Sequence, residues 1–310
     1  MSDIRTILVP VDFSDCSRVA VERASILAKK LGASLHVLHV WELPEVLPPG
    51  ANEGAYAGQL LGMVEGFAGT RLRELVEEVR GRGIAVDGSF LEMGSPWRTI
   101  VRFAEDGRYD LIVMGTHGRR GLTRALLGSV AEKVVRCSHL PVLAVHGDGE
   151  GPAALPKRIL VPVDYSAGSA RALDYAAALS RSLGAELEVV HVWDRPSMVS
   201  DQVFVQVAEG RRQSLGELVR ENTEREMQTF LQAHSARSTP GVAALPPHRL
   251  LSGEPASTLL EELEQGKHGL VVMGTRGRTG LKHVLLGSVA EKLVRFAPVP
   301  VLVVPSGEAS

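Results

Sequence analysis

Two stretches of this 310-residue chain share one glycine spacing, and they are the parts of the sequence best suited to chemistry. Residues 114–136 read MGTHGRRGLTRALLGSVAEKVVR, and residues 273–295 read MGTRGRTGLKHVLLGSVAEKLVR. Both follow the pattern G-x2-G-x9-G-S. Glycine lets the backbone turn with positive φ and expose N–H groups, and the free N–H groups at the start of a helix attract anions. The pattern therefore indicates a loop that cradles phosphate groups, present twice in one chain.

Each position of the pattern has a predicted role. Gly115 ends a strand, where a side chain would obstruct a ligand resting on the strand tip. Gly118 allows the turn, and Gly128 with Ser129 begins a helix whose positive end favours an anion. The second copy has the same residue types at Gly274, Gly277, Gly287 and Ser288.

The alternative interpretation is that these glycines serve only turns and helix ends. Two copies with identical spacing, each between a strand and a helix, favour binding over that alternative. The pattern is not a Walker P-loop, because G-x4-G-K-[ST] occurs nowhere in the chain. It also differs from the Rossmann fingerprint, because the loop follows the fourth strand of each unit rather than the first.

The elements that position these loops repeat along the whole chain. The matched segments are residues 7–14 with 159–166, 33–41 with 185–193, 94–96 with 253–255, 111–116 with 270–275, and 140–145 with 299–304. A repeat this long predicts two complete domains rather than a solenoid. We assign the domains to residues 1–147 and 157–310, and the Gly-, Pro- and Ala-rich residues 148–156 to a linker.

Within each unit, short β-branched runs alternate with segments of helical periodicity. In the first unit, strands are predicted over TILVPV, LHVLHV, residues 84–92, DLIVMG and PVLAV, and helices over residues 17–32, residues 56–82, and from Pro96 and Ser129 onward. Near-continuous apolar strands indicate an α/β fold with two tandem, open, five-stranded parallel sheets and helices on both faces. Such sheets bind ligands at the carboxyl ends of their strands.

Composition and charge argue against several classes of function. The chain has 34 Lys and Arg against 36 Asp and Glu, so we expect no nucleic-acid and no membrane partner. No apolar run approaches the roughly 18 residues of a membrane span, and the N-terminus lacks a signal-peptide pattern, which predicts a cytoplasmic protein. Cys16 and Cys137 have no metal-ligand spacing and are interpreted as reduced, mostly buried small apolar residues.

Further motifs accompany the glycine pattern and complete a family resemblance. VPVD-x-S closes the first strand of each unit, V-H-V closes the second, and the strand before each glycine loop ends in MG. Together with G-x2-G-x9-G-S, these motifs resemble the ATP-binding branch of the universal stress proteins over almost the whole chain. The resemblance implies two tandem domains with a Rossmann-like fold of the adenine nucleotide alpha hydrolase type, and it implies ATP, with Mg²⁺, as the ligand.

The resemblance also assigns site residues, position by position. The aspartate after the first strand and the two residues before it would hold the adenine and ribose, the last valine of the second strand would pack on the base, and the glycine loop would take ribose and phosphates. In the first unit these residues are Pro10, Val11, Asp12, Val40, Met114, Gly115, His117, Gly118, Gly128, Ser129 and Val130. In the second unit they are Pro162, Val163, Asp164, Val192, Met273, Gly274, Arg276, Gly277, Gly287, Ser288 and Val289.

Some of these positions have simpler structural interpretations. Asp12 and Asp164 can serve as turn or helix-capping residues, although a serine stands two positions after each. His39 and His191 lie within apolar strands, where a hydrogen-bonded core histidine is a better interpretation than a ligand. The arginines that flank the loops contact either phosphates or solvent; they are Arg119, Arg120 and Arg278.

The two copies of the loop differ at one assigned position. Arg276 stands where the first copy has His117. An arginine stays charged at pH 7, whereas a free histidine is mostly neutral, so the second site is the more permanently cationic one.

No nucleophile, general base or zinc spacing accompanies the loops, and we predict no catalytic residue. ATP hydrolysis needs a positioned water, charge stabilisation on the γ-phosphate and usually Mg²⁺. We therefore expect a nucleotide-dependent regulator of the stress response, in which ATP orders the loops and a protein partner recognises the ordered form. The alternatives are a slow Mg-dependent ATPase on the same scaffold and an interaction module with vestigial nucleotide sites.

The apolar fifth strands predict how the units associate. LPVLAV and VPVLVV would be aggregation-prone edges if they were left uncovered, and the domains of the family usually pair through this strand. We expect the two units to pair within the chain as a pseudo-dimer, with two chains able to form a homodimer. Residues 43–70 and 195–214 follow the second strand of each unit, and the sequence leaves them as lids, partner surfaces or mobile loops.

Overall fold

The first unit places five parallel strands between two layers of helices. In this computed structural model, the strands are β1 (Thr6–Pro10), β2 (Ser34–Trp41), β3 (Gly88–Met93), β4 (Leu111–Gly115) and β5 (Val142–Val145). The helices are α1 (Asp15–Leu31), α2 (Gly54–Gly81), α3 (Pro96–Asp106) and α4 (Ser129–Cys137). The structure describes residues 4–42, 54–117, 127–147, 154–193, 203–206, 212–238, 245–275 and 286–305.

The second unit repeats this order and adds a short hairpin. Its strands are β6 (Arg158–Pro162), β7 (Glu186–Trp193), β8 (Phe204–Gln206), β9 (Arg212–Ser214), β10 (His248–Ser252), β11 (Leu270–Gly274) and β12 (Val301–Val304). Its helices are α5 (Ala167–Leu183), α6 (Leu215–Ser238), α7 (Pro255–Glu264) and α8 (Ser288–Phe296). β8 and β9 pair antiparallel in a separate two-stranded sheet, which the sequence analysis did not predict.

One ten-stranded sheet runs through both units, in the order β10-β7-β6-β11-β12-β5-β4-β1-β2-β3. Within this ten-stranded sheet, the strands of each unit pair in parallel. The units join where β12 and β5 pair antiparallel, with Leu302 opposite Leu143 and Val301 opposite Ala144. The expected pairing of the apolar fifth strands is therefore present, and each strand covers the edge of the other.

Both faces of the sheet carry an apolar core, which explains why the strands are apolar at successive positions. Along β1, Ile7 and Val9 pack in one cluster, with side chains of α1, α2, α5 and α6. Leu8 packs in the opposite cluster, with side chains of α3, α4, α7 and α8. This alternation is the two-residue period of a strand buried on both sides. The predicted α/β fold with helices on both faces is confirmed.

Local sequence signals set the ends of the helices that cover one face. α1 begins after Ser14, whose hydroxyl accepts a hydrogen bond from the N–H of Ser17 at 3.2 Å. It ends before Gly32, whose φ of 69° is left-handed. Ser166 and Gly184 fill the same two positions around α5. The predicted helix over residues 17–32 is therefore present, and it starts two residues earlier than predicted.

The third strand is shorter than predicted. β3 begins at Gly88, whereas the predicted strand covers residues 84–92. The backbone N–H of Leu35 donates to Asp87 Oδ2 at 2.7 Å, and the N–H of Asp87 donates to the carbonyl of Leu35 at 2.8 Å. A side chain thus takes a hydrogen bond that a ladder would otherwise use, and regular pairing starts only after Asp87.

Part of the ambiguous segment 43–70 is helical. Residues 54–70 belong to α2, and the side chains of Met63 and Phe67 on this helix are 72% and 68% exposed. Residues 43–53, 194–202 and 207–211 lie outside the described residues. No helix in the described part of the chain is long and apolar enough to cross a membrane.

Candidate functional site

The two glycine patterns begin at the point where strand order reverses in each unit. In the first unit, β1 leads to β2 on one side and lies beside β4, which leads to β5 on the other side. A crevice at the carboxyl ends of two such strands is the usual ligand position in open α/β sheets. Asp12 follows β1 and Thr116 follows β4 at this crevice. β6 and β11 form the corresponding crevice of the second unit.

The aspartate after each first strand holds the turn into the next helix. Asp12 Oδ1 accepts hydrogen bonds from the backbone N–H of Ser14 at 3.1 Å and from its hydroxyl at 2.6 Å. Asp164 accepts the same two bonds from Ser166, at 3.1 Å and 2.6 Å. Phe13, between Asp12 and Ser14, has a left-handed φ of 66°. Each aspartate therefore has a structural role at the start of a helix, because it orients the serine that caps that helix.

The backbone of the valine before each aspartate is hydrogen-bonded within the sheet and to a histidine. The N–H of Val11 donates to the carbonyl of Leu38 at 2.8 Å, and the carbonyl of Val11 accepts from His39 Nδ1 at 2.7 Å. Val163 has the same two contacts, with His191 as the donor at 2.7 Å. His39 is thus a hydrogen-bonded core residue, as predicted, and His191 makes the same hydrogen bond while half-buried. The N–H of Val11 is therefore already used within the protein, and its carbonyl keeps one lone pair for a further hydrogen bond.

Three assigned residues of each unit line one apolar wall. Met114 is buried in the cluster beneath α3 and α4, and Val40 and Val130 pack against that cluster while remaining partly accessible. In the second unit, the equivalent wall consists of Met273, Val192 and Val289. A flat aromatic base can bury its face on such a wall, which suits the role predicted for Val40 and Val192. The other four residues were predicted to lie at the ribose and phosphates, and in the structure they share this apolar wall.

The glycine that ends each fourth strand lies directly against a helix of the same unit. A Cβ on Gly115 would lie 2.7 Å from Cys16 Sγ and 3.0 Å from the Cys16 carbonyl carbon. A Cβ on Gly274 would lie 2.9 Å from the carbonyl of Gly168, at the same point of α5. A side chain at this position would therefore clash with the chain's own helix, and the role of leaving room for a ligand stays a prediction. This position must be glycine because α1 and α5 begin directly over the strand tip.

Cys16 is a packing residue at this crossing. Its Sγ donates to the carbonyl of Val145 at 3.3 Å, and burial raises the pKa of its thiol. A thiol with a raised pKa stays protonated and unreactive near neutral pH. Cys16 and Cys137 are both free, and Cys16 is buried as expected while Cys137 is half-buried.

The helix that follows each loop is tied to the strand that precedes it. The N–H of Gly128 donates to the carbonyl of Thr116 at 2.8 Å, and the N–H of Gly287 donates to the carbonyl of Thr275 at 2.8 Å. Among the described residues, no side chain caps α4 or α8, so the first-turn N–H groups beside the exposed Ser129 and Ser288 have no side-chain acceptor there. Each unit therefore presents the positive end of a helix dipole at the crevice, which suits an anion.

His117 lies at the entrance of the first glycine loop. Its Nδ1 is 2.9 Å from Thr116 Oγ1, and its Nε2 is buried without a hydrogen-bond partner among the described residues. The remaining loop residues of the prediction lie outside the described part of the chain; they are Gly118, Arg119, Arg120, Arg276, Gly277 and Arg278.

Two residues without a predicted role, Thr116 and Thr275, are almost fully buried and accept the hydrogen bonds that close each loop. Their position inside both MGT motifs was the available signal.

Comparisons with known proteins agree with this architecture. The model of the universal stress protein family matches residues 3–146 and again residues 156–305. A universal stress protein of Mycolicibacterium smegmatis is 29% identical over 307 residues, covering 96% of each chain. One from Methanocaldococcus jannaschii is 38% identical over 142 residues, 46% of this chain and 81% of that protein. A crystal structure of a universal stress protein from Archaeoglobus fulgidus shares the fold over 99% of this chain and 100% of its own, with a TM-score of 0.69 and 23% identity. The chain belongs to the universal stress protein family, as two tandem copies of its domain.

Proposed function

We propose that this chain binds one ATP in each unit and acts as a nucleotide-dependent regulator of the stress response. The observation that carries the proposal is the closure of both loops, Gly128 onto Thr116 and Gly287 onto Thr275, at 2.8 Å each. This contact holds an uncapped helix N-terminus at the crevice between the first and fourth strands of its unit, beside an apolar wall. An anion site next to an apolar face has the chemistry of a nucleotide site.

In this proposal, the parts of ATP divide among the elements of each unit. The adenine lies on the wall formed by Met114, Val40 and Val130, and the ribose lies near Asp12. The phosphates lie at the start of α4, beside Gly128, where Ser129 supplies an N–H group and a hydroxyl. The second unit uses the equivalent residues, and the assigned loop residues Gly118, Arg276 and Gly277 complete the two phosphate sites.

Mg²⁺ would enter these sites with ATP rather than as a resident ion. No group of three or more His, Cys, Asp or Glu within the described residues could hold a metal on its own. Mg²⁺ in nucleotide sites usually keeps several waters and is bound by phosphates with one or two carboxylates. Asp12 and Asp164 are the carboxylates at the two crevices.

We further propose that the chain works by binding, with turnover slow or absent. ATP orders the glycine loops, and a protein partner recognises the ordered form. The two units, residues 1–147 and 157–310 with a linker at 148–156, act as a pseudo-dimer that can associate further into a homodimer in the cytoplasm.

The decisive experiment introduces one negative charge at each helix start. Ser129→Glu and Ser288→Glu place a carboxylate where the phosphates of ATP would lie, and a carboxylate at a helix N-terminus does not harm the helix. Calorimetric titration should give two equivalents of ATP for the native chain, one for each single variant and none for the double variant. Two equivalents in both single variants, with unchanged affinity, would refute the assignment of the phosphate sites. Ser25→Glu, on the partly exposed side of α1, is the matched charge control.

A further inference from the structure

A side-chain hydrogen bond joins the two units beside the first site. His146 directly follows β5, and its Nε2 lies 2.9 Å from the carbonyl oxygen of Val294 in α8. A carbonyl can only accept, so Nε2 carries the hydrogen and donates it. α8 is the helix that starts at Ser288 with Gly287 as its N-cap, in the proposed second site.

Val294 is available for this bond because its helical partner is absent. In an α-helix, the carbonyl of residue i accepts from the N–H of residue i+4. Val294 lies in the last turn of α8, which ends at Phe296, and residue 298 is proline, which has no N–H to donate to it. The residue that matches His146 in the second unit is Pro305, which has no donor either. A matching hydrogen bond from Pro305 to α4 is therefore impossible. The link runs in one direction, from the end of β5 beside the first site to α8.

The other end of the link reaches the first glycine loop. The ring centroids of His146 and His117 are 6.4 Å apart. Val145, the residue before His146, accepts a hydrogen bond from the N–H of Thr116 at 2.9 Å, and Thr116 in turn accepts from Gly128 at 2.8 Å. Direct contacts thus connect the start of α4, in the first site, with the body of α8, in the second unit.

We propose that His146 couples the two nucleotide sites, so that ATP in the first site changes the stability and the ligand affinity of the second. Val294 lies six residues after Ser288, a rise of roughly 9 Å along one rigid helix. A shift of His146 that strengthens or weakens the bond to Val294 therefore moves or loosens the whole of α8, including its N-terminus. This inference rests on the proposed function, because it requires that the first site binds ATP.

The test uses a chain in which only the first site can bind. In the Ser288→Glu variant, ATP should change the amide exchange rates of α8 at least about fivefold, the lower end of usual coupling strengths. In the Ser288→Glu/His146→Phe variant, which keeps an aromatic ring beside His117 but lacks the donor, ATP should leave α8 unchanged. His146→Gln, which retains an N–H donor, should restore part of the response. His139→Phe, at the exposed histidine of the same unit, is the matched control and should keep the full response.

The outcomes separate this inference from the proposed function. Calorimetry on the Ser288→Glu variant reports whether the first site binds ATP at all, and no binding overturns both proposals. Binding without a change in α8 exchange overturns the coupling alone. An equal change with His146 and with Phe at position 146 also overturns it, because the effect would then travel by another route.

Discussion

Replacing Arg249 by Met should destabilise the second unit more than replacing the whole group of charged residues to which Arg249 belongs. That group, here called the charged cluster, comprises Glu188, Arg249, Glu262 and His268, on β7, β10, α7 and the turn after α7. Arg249 Nε lies 2.5 Å from Glu188 Oε1, and its Nη2 lies 2.6 Å from Glu262 Oε1. His268 Nε2 lies 2.8 Å from Glu188 Oε2.

The first unit fills the same four positions with aromatic side chains, His36, Phe90, Phe103 and Tyr109. The rings of Phe90 and Phe103 are 5.1 Å apart, and those of Phe103 and Tyr109 are 5.9 Å apart. His36 Nδ1 and the Tyr109 hydroxyl share a hydrogen bond at 2.8 Å. The same backbone arrangement therefore holds a cluster of aromatic side chains in the first unit and a cluster of charged side chains in the second.

The magnitudes follow from burial. The side chain of Glu262 is 6% exposed, and removing the partner of a buried charge costs about 3–5 kcal/mol. The Arg249 side chain is 40% exposed, so water replaces part of its contribution, and we expect Arg249→Met to cost about 2–3 kcal/mol. The quadruple variant Glu188→His/Arg249→Phe/Glu262→Phe/His268→Tyr leaves no buried charge unpaired. We expect it to be neutral or about 1–2 kcal/mol more stable.

Native-state hydrogen exchange of the β10 amides measures the free energy of opening of this edge, and the amides of β3 provide an internal reference in the unchanged unit. The non-additivity between the single and quadruple variants is the signature of a charge network. A quadruple variant as unstable as Arg249→Met, with β3 unaffected, would refute the reasoning. A cost below about 0.5 kcal/mol for Arg249→Met would do the same, since that is the level of an exposed pair.

Three further predictions concern the strand tip, a helix cap and pH. Gly115→Ala should cost about 1–3 kcal/mol in denaturant unfolding because its Cβ would lie 2.7 Å from Cys16 Sγ. Gly62→Ala in α2, whose Cβ meets nothing within 4 Å, should instead add about 0.5–1 kcal/mol. Ser14→Ala should cost about 1 kcal/mol by removing the N-cap of α1, and an unchanged Tm would contradict that role. Burial of Glu188 opposes its ionisation, but hydrogen bonds from His268 and Arg249 lower its pKa, so its contribution to stability is present above its unfolded pKa and lost as pH falls through the lower folded value. Acid unfolding of Glu188→Gln should therefore lack that pH-dependent loss.

Periodicity was sufficient to predict the order of the elements that the two units share. Runs such as TILVPV are apolar at every position because both faces of β1 are buried, and that pattern is typical of a parallel sheet. Helix ends were also readable, since Ser14 and Gly32 act within a few residues of their own position. These signals are local, so they can be recognised in the sequence without knowledge of the tertiary structure.

The reason for each glycine was not readable in the same way. Gly115 lies within the predicted phosphate loop, but its contact is with Cys16, 99 positions earlier in the chain. β3 starts at Gly88 rather than at residue 84 because the side chain of Asp87 accepts a hydrogen bond from Leu35 of the neighbouring strand. The hairpin β8–β9 has only three residues in each strand, too few for a period to appear. Each of these features depends on a neighbour distant in sequence.

The pattern of differences between the two units is itself evidence about how the chain works. The residues that close the loops are the same in both units, Thr116 with Gly128 and Thr275 with Gly287, whereas the charged and aromatic clusters differ completely at the far edges of the sheet. Between these extremes lies His146, whose counterpart is Pro305, at the seam where β5 meets β12. A change at an outer edge can alter the stability of one unit without touching the other. A change at the seam alters how the units affect each other, so the exchange response of α8 tests whether this duplicated chain works as two independent sites or as one coupled pair.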